Sequence, residues 1–548
     1  MPPLTSASRT RLLLVLVAAG VIVVVCPPSL SAADDARLII PAEFGDSTTT
    51  MWAPTLEWTL PNDDSYDGNP FDLVARVTFT RKGGGTRVTE MFYAGDDAWK
   101  FRFTGTRTGT WTFTTQADGN NGTTNDPELH GRGGTITVKP NPNARMTGFL
   151  TSQGTKYAVQ VGNDAHLEGF RFNAFMHGKL AEAYDIEKAD LFEPLTTDAD
   201  RARLQTYLDT YVRAVAEHGC NAVFQAVHCR WFEMDPDKRG HDRLDDRSDN
   251  ASPDPRTFER LEMLWATARQ HGLRVHLWAW GDEARKWTPI GVGGLNGVPD
   301  RRLQRYIAAR LGPLPGWTMG YGFDLQEWTK EEDLRKWAAY LHEHFGWQHM
   351  LWGRGRSNEE LDVKSYSGYG VKSYDRIVKD LASDPDRPHL YEERDSYRRP
   401  RGGLTQDGSR RFMWNQTLAG GIGGFWGHYS GRLYKGEYPN PEQFACCREF
   451  WRGRFLLEME RAEDLTDGHA LATPDGKHYA FYKPDAERIT LDLSKASGTL
   501  RAVAVDATKA YREIDLGRLK PGKHTWKAPR KSDWAIAVGV FPTRDDED

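Results

Sequence analysis

The spacing of apolar residues along the chain changes period twice. From about residue 34 to 147, apolar and polar positions alternate in short runs such as Leu73-Val74-Ala75-Arg76-Val77-Thr78-Phe79 and Trp111-Thr112-Phe113-Thr114-Thr115. Gly-, Asn- and Asp-rich turns separate these runs. A period of two broken by such turns predicts an antiparallel β-sandwich. Pro140-Asn141-Pro142-Asn143 then punctuates the chain as a linker.

From about 148 to 457, strand-like runs alternate with helical stripes. Leu204, Leu208, Tyr211, Val212 and Val215 form one stripe, ending at Gly219 and followed by the apolar run 221–227. A second helix around Phe258, Leu261, Leu264, Trp265 and Ala268 precedes a strand over 273–280. The alternation continues with strands at 319–325, 349–352, near Tyr366, at 387–393 and at 423–426. Helices are expected over 330–345, 374–381 and 412–419. With an early strand at 172–175 the count is about eight, which predicts a (β/α)₈ TIM barrel of the α/β class. An open doubly wound sheet is the alternative, weakened because no Gly-rich phosphate loop follows the first strand. Beyond about 458 short strands return, as in His478-Tyr479-Ala480-Phe481-Tyr482 and Trp534-Ala535-Ile536-Ala537-Val538, predicting a second small sandwich over 458–548.

The first 33 residues have an export pattern: Arg9 and Arg11, an apolar run from Leu12 to Val25, then small residues up to Ala33. That run suits a signal-peptide core and is short for a bilayer span, so a secreted or periplasmic protein is expected, with no membrane partner after cleavage. An uncleaved anchor is the alternative. Of the cysteines after this segment, Cys220 and Cys229 bracket a strand and are too far apart to bond, and vicinal Cys446 and Cys447 would pair only with strain. Neither a disulfide scaffold nor a zinc pattern is present. With 71 basic and 76 acidic residues, the chain lacks the basic excess of a nucleic-acid binder. The 19 Trp matter more, since indole faces serve both cores and sugar rings.

In a parallel barrel the active site lies at the C-terminal ends of the strands. Two carboxylates end apolar runs there: Glu327 after the fourth strand and Glu393 after the seventh. Glycoside hydrolysis needs such a pair, one to protonate the leaving oxygen and one to attack or to activate water. Adjacent strand residues point to opposite faces, so only one of Glu392 and Glu393 should enter the site. Taken singly, each glutamate could equally cap a strand and pair with a surface cation. Asp324 reads as a supporting residue. His228 and Arg230 follow strand two, and Trp278, Trp280 and Asp282 end strand three. Arg354 follows strand five, Tyr366 lies near strand six, and Trp426 and His428 end strand eight. These are candidate sugar contacts, through indole stacking and grips on hydroxyls or acidic groups; the bland alternative is core aromatics and solvated charges. The Asp-rich loop 235–254 interleaves Lys238, Arg239, Arg243 and Arg247 and matches no EF-hand spacing, so no metal or cofactor is expected.

The chain resembles a known architecture over nearly its whole mature length. Trp99-Lys100-Phe101-Arg102-Phe103 with Gly109-Thr110-Trp111 looks like the domain of unknown function that precedes many bacterial glycoside hydrolase barrels. The middle is similar to the apiosidase-like, clan A type of glycoside hydrolase barrel. The end, with Tyr479, Asp492-Leu493 and Ser532-Asp533-Trp534, resembles the collagen-binding-type module that often closes such chains. The resemblance implies Glu327 as acid/base and Glu393, five residues after Pro388, as nucleophile. Where clan A barrels have Asn before the acid/base, this chain has Gln326.

Together these readings predict a secreted glycoside hydrolase of retaining type, acting on a plant or algal polysaccharide or its oligosaccharides. Two other readings stay open: a non-catalytic carbohydrate-binding adhesin on a degenerate barrel, and a polysaccharide lyase using Arg230, Arg354, His228 and Tyr366.

Overall fold

In the segment Gly109–Ala117, Trp111, Phe113, Thr115 and Ala117 are buried while the residues between them face solvent. That two-residue period builds a five-stranded sheet and a four-stranded sheet from residues 39–139. Between them Trp58 stacks on Phe101 with ring centroids 4.9 Å apart and meets Phe113 at the same distance. The protein is described by a computed structural model at residues 37–62, 68–117, 126–176, 191, 195–217, 219–232, 244, 246–355, 359–366, 373–391, 406–423, 426–427 and 441–541, with backbone alone at 174–176, 406, 409, 426–427 and 441. The expected export segment and half of the Asp-rich loop lie outside the described residues.

A three-stranded antiparallel hairpin sheet, Thr147–Gln153, Lys156–Val161 and His166–Gly169, precedes the barrel. The barrel strands are β1 (Ala174–Met176), β2 (Ala222–Ala226), β3 (Arg274–Trp278), β4 (Trp317–Gly320), β5 (Leu351–Arg354), β6 (Val363–Tyr366), β7 (His389–Tyr391) and β8 (Trp426–Gly427). All pair in parallel in the order β7-β6-β5-β4-β3-β2-β1-β8, so the last strand returns beside the first. The arrangement is TIM-like, as expected. Several expected strands end early: β4 stops at Gly320 and β3 at Trp278, and the chain then turns.

Interior side chains come in layers. Phe224, His276 and Thr318 are in register across β2, β3 and β4. His276 hydrogen-bonds Thr318 Oγ1 through Nδ1 at 2.7 Å, and its ring lies 3.8 Å from that of Trp352. Trp278 fills the next layer and leaves no room at Gly320, where a Cβ would sit 2.0 Å from the indole. Leu150, Tyr157, Val159 and Val161 of the hairpin join this interior cluster and plug the N-terminal end.

The helices are α1 (Asp198–Glu217), α2 (Pro255–Gln270), α3 (Val298–Leu311), α4 (Glu331–His344), α5 (Tyr374–Ala382), α6 (Gln406–Leu418) and α7 (Pro441–Trp451). Asp254 of the Asp-rich loop caps α2 by accepting from the Arg256 N–H. The sequence reading did not include α3 and α7. Trp347, just after α4, is buried in the sandwich core and donates its indole N–H to the Thr104 carbonyl at 3.1 Å. Arg102 of the sandwich meets Glu262 of α2 at 2.9 Å, and Arg310 of α3 meets the same carboxylate at 2.6 Å.

The C-terminal region is one six-stranded antiparallel sheet. Its last strand, Lys523–Gly539, carries Trp526 and Trp534 with ring centroids only 5.1 Å apart. Eight residues of straight strand would span roughly 26 Å, so the strand folds back and the sheet closes over its own core. The other face meets the barrel, where Tyr482 stacks on Trp414 of α6 at 5.1 Å and buried Asp533 takes Arg410 at 2.6 Å and Arg411 at 2.9 Å. The four described cysteines are free and buried.

Candidate active site

The C-terminal rim is built by short turns that follow β2, β3 and β4. After β2 the chain forms a tight turn, His228–Trp231, with His228 at φ 61°. The imidazole lies flat on the Trp287 indole, with centroids 4.5 Å apart and planes at 22°, and meets Phe323 edge-on at 5.5 Å. Burial, then the charges of Arg230 and Arg285, push the His228 pKa down to about 3. The ring is therefore neutral at physiological pH and suits hydrogen bonding to a neutral ligand better than holding an anion. Arg230, on the same turn, is half-buried.

After β3, Asp282 is buried and caps the turn Glu283–Arg285, accepting from the Arg285 N–H at 2.8 Å and pairing with its guanidinium. After β4, Asp324 adopts a left-handed conformation at φ 46°, ψ 46° and opens the turn Leu325–Glu327. A non-glycine residue held there is strained, and such strain collects at functional sites. The Asp324 carboxylate meets Arg354, which ends β5, at 3.3 Å. The Arg354 guanidinium also lies over the Phe323 ring at 5.1 Å.

Glu327 sits at the end of this turn, its N–H donating to the Asp324 carbonyl at 2.8 Å, with its side chain accessible to solvent. Its carboxyl pKa is raised by lost hydration first, then by Asp324 and Asp282, against the opposing pull of Arg354 and Arg285. A carboxyl whose pKa is raised beside charged neighbours is suited to general-acid work. The rim thus gathers Glu327, Asp324, Asp282, Arg354, Arg285 and His228.

Three expected sugar contacts lie elsewhere. Trp278 is fully buried inside the barrel, 5.1 Å from Phe323 and 4.8 Å from His276. Trp280 is also fully buried, turned outward past the end of β3 with its indole N–H on Asp300 at 3.2 Å. Tyr366 faces the helices, because Val363 and hence Ser365 take the inward positions of β6. Its ring stacks on Tyr391 at 5.0 Å and its hydroxyl meets His389 Nδ1 at 3.2 Å. All three serve the fold. Trp426 lies in β8 by its backbone, with its side chain outside the described residues, as are Glu393 and His428. In β7, Leu390 points into the barrel while Tyr391 turns outward, donating from its hydroxyl to Asp380 of α5 at 2.5 Å. The sequence reading did not name Trp287 or Arg285; only their three-dimensional neighbours mark them.

Comparison with known proteins places this rim in context. Residues 48–118 match the model of a domain of unknown function, DUF5060, and residues 194–455 match the apiosidase-like catalytic domain. No curated protein is a sequence match. Among solved structures, a candidate glycoside hydrolase from Bacteroides vulgatus is 15% identical with a TM-score of 0.63, over 90% of this chain and 99% of that one. A family 5 glycoside hydrolase from the same organism is 15% identical with a TM-score of 0.52, over 72% and 93%. At such identities these likenesses show the shared fold. The domain match, on a parallel barrel with its carboxylates gathered at the C-terminal rim, makes the chain a glycoside hydrolase with an apiosidase-like catalytic domain behind a DUF5060 domain.

Proposed function

We propose that the protein is a secreted, retaining glycosidase acting on a plant or algal polysaccharide or its oligosaccharides. Glu327 is the acid/base and Glu393 the nucleophile. Glu327 protonates the leaving oxygen while Glu393 attacks the anomeric carbon, and Glu327 then takes a proton from the water that releases the sugar. The observation that carries this reading is Glu327 itself: an accessible carboxyl on the turn after β4, with its pKa raised by lost hydration and by Asp324 and Asp282. Export is supported by the apolar run at 12–25 and the small residues after it. A lyase has less support, since Arg354 faces Asp324 and Tyr366 faces the helices.

The test is digestion of a broad glycan library, with the first-formed product of any active substrate followed by NMR. A retained anomeric configuration is expected; an inverted one overturns the mechanism. Two clues select different nucleophiles: the alternation in β7 selects Glu392, the offset from Pro388 selects Glu393. Glu393→Ala is expected to be inactive and rescued by azide, with Glu392→Ala retaining activity. Binding without any release of reducing ends would favour the adhesin.

A further inference from the structure

The far end of the barrel holds two arginines that no carboxylate among the described residues compensates. Arg269 closes α2 and Arg274 opens β3, joined by the Gly272 turn. Both are enclosed, at 8% and 5% exposed. Their hydrogen-bond partners are neutral. Arg269 Nη2 donates to the carbonyls of Thr147 at 2.7 Å and Trp52 at 3.2 Å, and also approaches Met146 Sδ at 3.6 Å. Arg274 Nη1 donates to the carbonyls of Leu273 at 3.1 Å and Gly272 at 3.3 Å, and Nη2 to Thr147 Oγ1 at 2.6 Å. Several other buried arginines have an acid: Arg102 and Arg310 share Glu262, Arg302 has Asp72 and Arg410 has Asp533, whereas Arg171 donates to Thr417 Oγ1 and Cys447 Sγ.

Three N–H groups of the pair are buried without a partner among the described residues: Arg269 Nε, Arg269 Nη1 and Arg274 Nε. Two of them converge. A Cβ placed on Gly316 would lie 3.3 Å from Arg274 Cδ, 3.4 Å from Arg269 Nη1 and 3.7 Å from Arg274 Nε. Gly316 has φ +89°, a conformation that side chains avoid, so its bare face stays turned toward both guanidiniums. Burial, and for Arg269 also the charge of Arg274, lower the two pKa values to about 9 and about 10, so both groups remain charged at neutral pH. Two adjacent buried cations with unused donors need a negative charge, which water does not bring.

We propose that Arg269, Arg274 and the bare face of Gly316 bind one small monovalent anion of chloride size. It would tie the Trp52 loop of the sandwich and Thr147 of the hairpin to the N-terminal end of the barrel, distant from Glu327. Crystals of the full chain grown in sodium bromide test this directly. An anomalous peak touching Arg269 Nη1 and Arg274 Nε is expected; bromide confined to the surface overturns the proposal. Thermal unfolding gives an independent readout. At constant ionic strength, replacing gluconate by chloride should raise the melting temperature by a few degrees and saturate, and Arg269→Gln should abolish the rise. Equal melting temperatures of the wild type in the two salts would also overturn it. Both wild-type measurements hold even if the variant does not fold.

Discussion

The two ends of the barrel use charge in opposite ways. At the C-terminal end, Asp282, Asp324 and Arg285 on short turns and Arg354 at the end of β5 surround Glu327, and Glu327 remains open to water. At the N-terminal end, the hairpin sheet plugs the interior with Leu150, Tyr157 and Val159, and charges are enclosed. Enclosed charge held by fixed hydrogen bonds ties segments together, whereas accessible charge with competing neighbours tunes a proton. One scaffold thus separates stability from chemistry, as parallel barrels do.

Variants at the two ends should therefore fail differently. Glu327→Gln is expected to lower kcat by about 10²–10⁴-fold at unchanged melting temperature. Near-normal turnover on a substrate with a poor leaving group would remove Glu327 from its role. Trp347→Ala should do the reverse, costing about 3–5 kcal/mol in denaturant unfolding by emptying the sandwich core, with kcat per folded molecule retained. Glu262 gives a pH signature at the sandwich–barrel seam. Despite full burial, Arg102 and Arg310 hold its pKa down to about 2, below its unfolded value. Its stabilisation is present above the unfolded pKa and is lost as pH falls through about 2. Acid titration of wild type and Glu262→Gln should show the variant less stable at neutral pH and the difference closing in acid.

A smaller effect is expected at Asp324. Its charge helps raise the Glu327 pKa, so Asp324→Asn should move the alkaline limb of kcat/KM to lower pH. A limb that stays put would mean that another group titrates there. The smallest effect belongs to Tyr366→Phe, which should leave KM unchanged because the hydroxyl contacts His389 among the helices.

Much of the fold was legible because periodicity survives in single elements. The stripe Leu204, Leu208, Tyr211, Val212 and Val215 is the buried face of α1. Helix α3 was not legible. Its buried positions include Asp300, Arg302, Gln304 and Arg310, which a hydropathy pattern reads as surface. They are buried because other segments supply their partners: Asp72 for Arg302, Glu262 for Arg310, and Tyr321 and Trp280 for Asp300, which in turn accepts from Gln304. The site was legible in part. Glu327 stands out in the sequence because it follows an apolar run, and the structure puts it on the turn after β4; Trp278 and Trp280 are enclosed, because a tryptophan at a strand end is compatible with core and rim alike.

The amino-acid order by itself determined most element types, the eight-strand count and the glutamate after β4, since all of these depend on local spacing. Tertiary structure alone decided which aromatics are enclosed, which acids surround Glu327, and that Arg269 and Arg274 meet without a carboxylate. Those outcomes depend on which distant segments exclude water around a given side chain, and no local pattern encodes that.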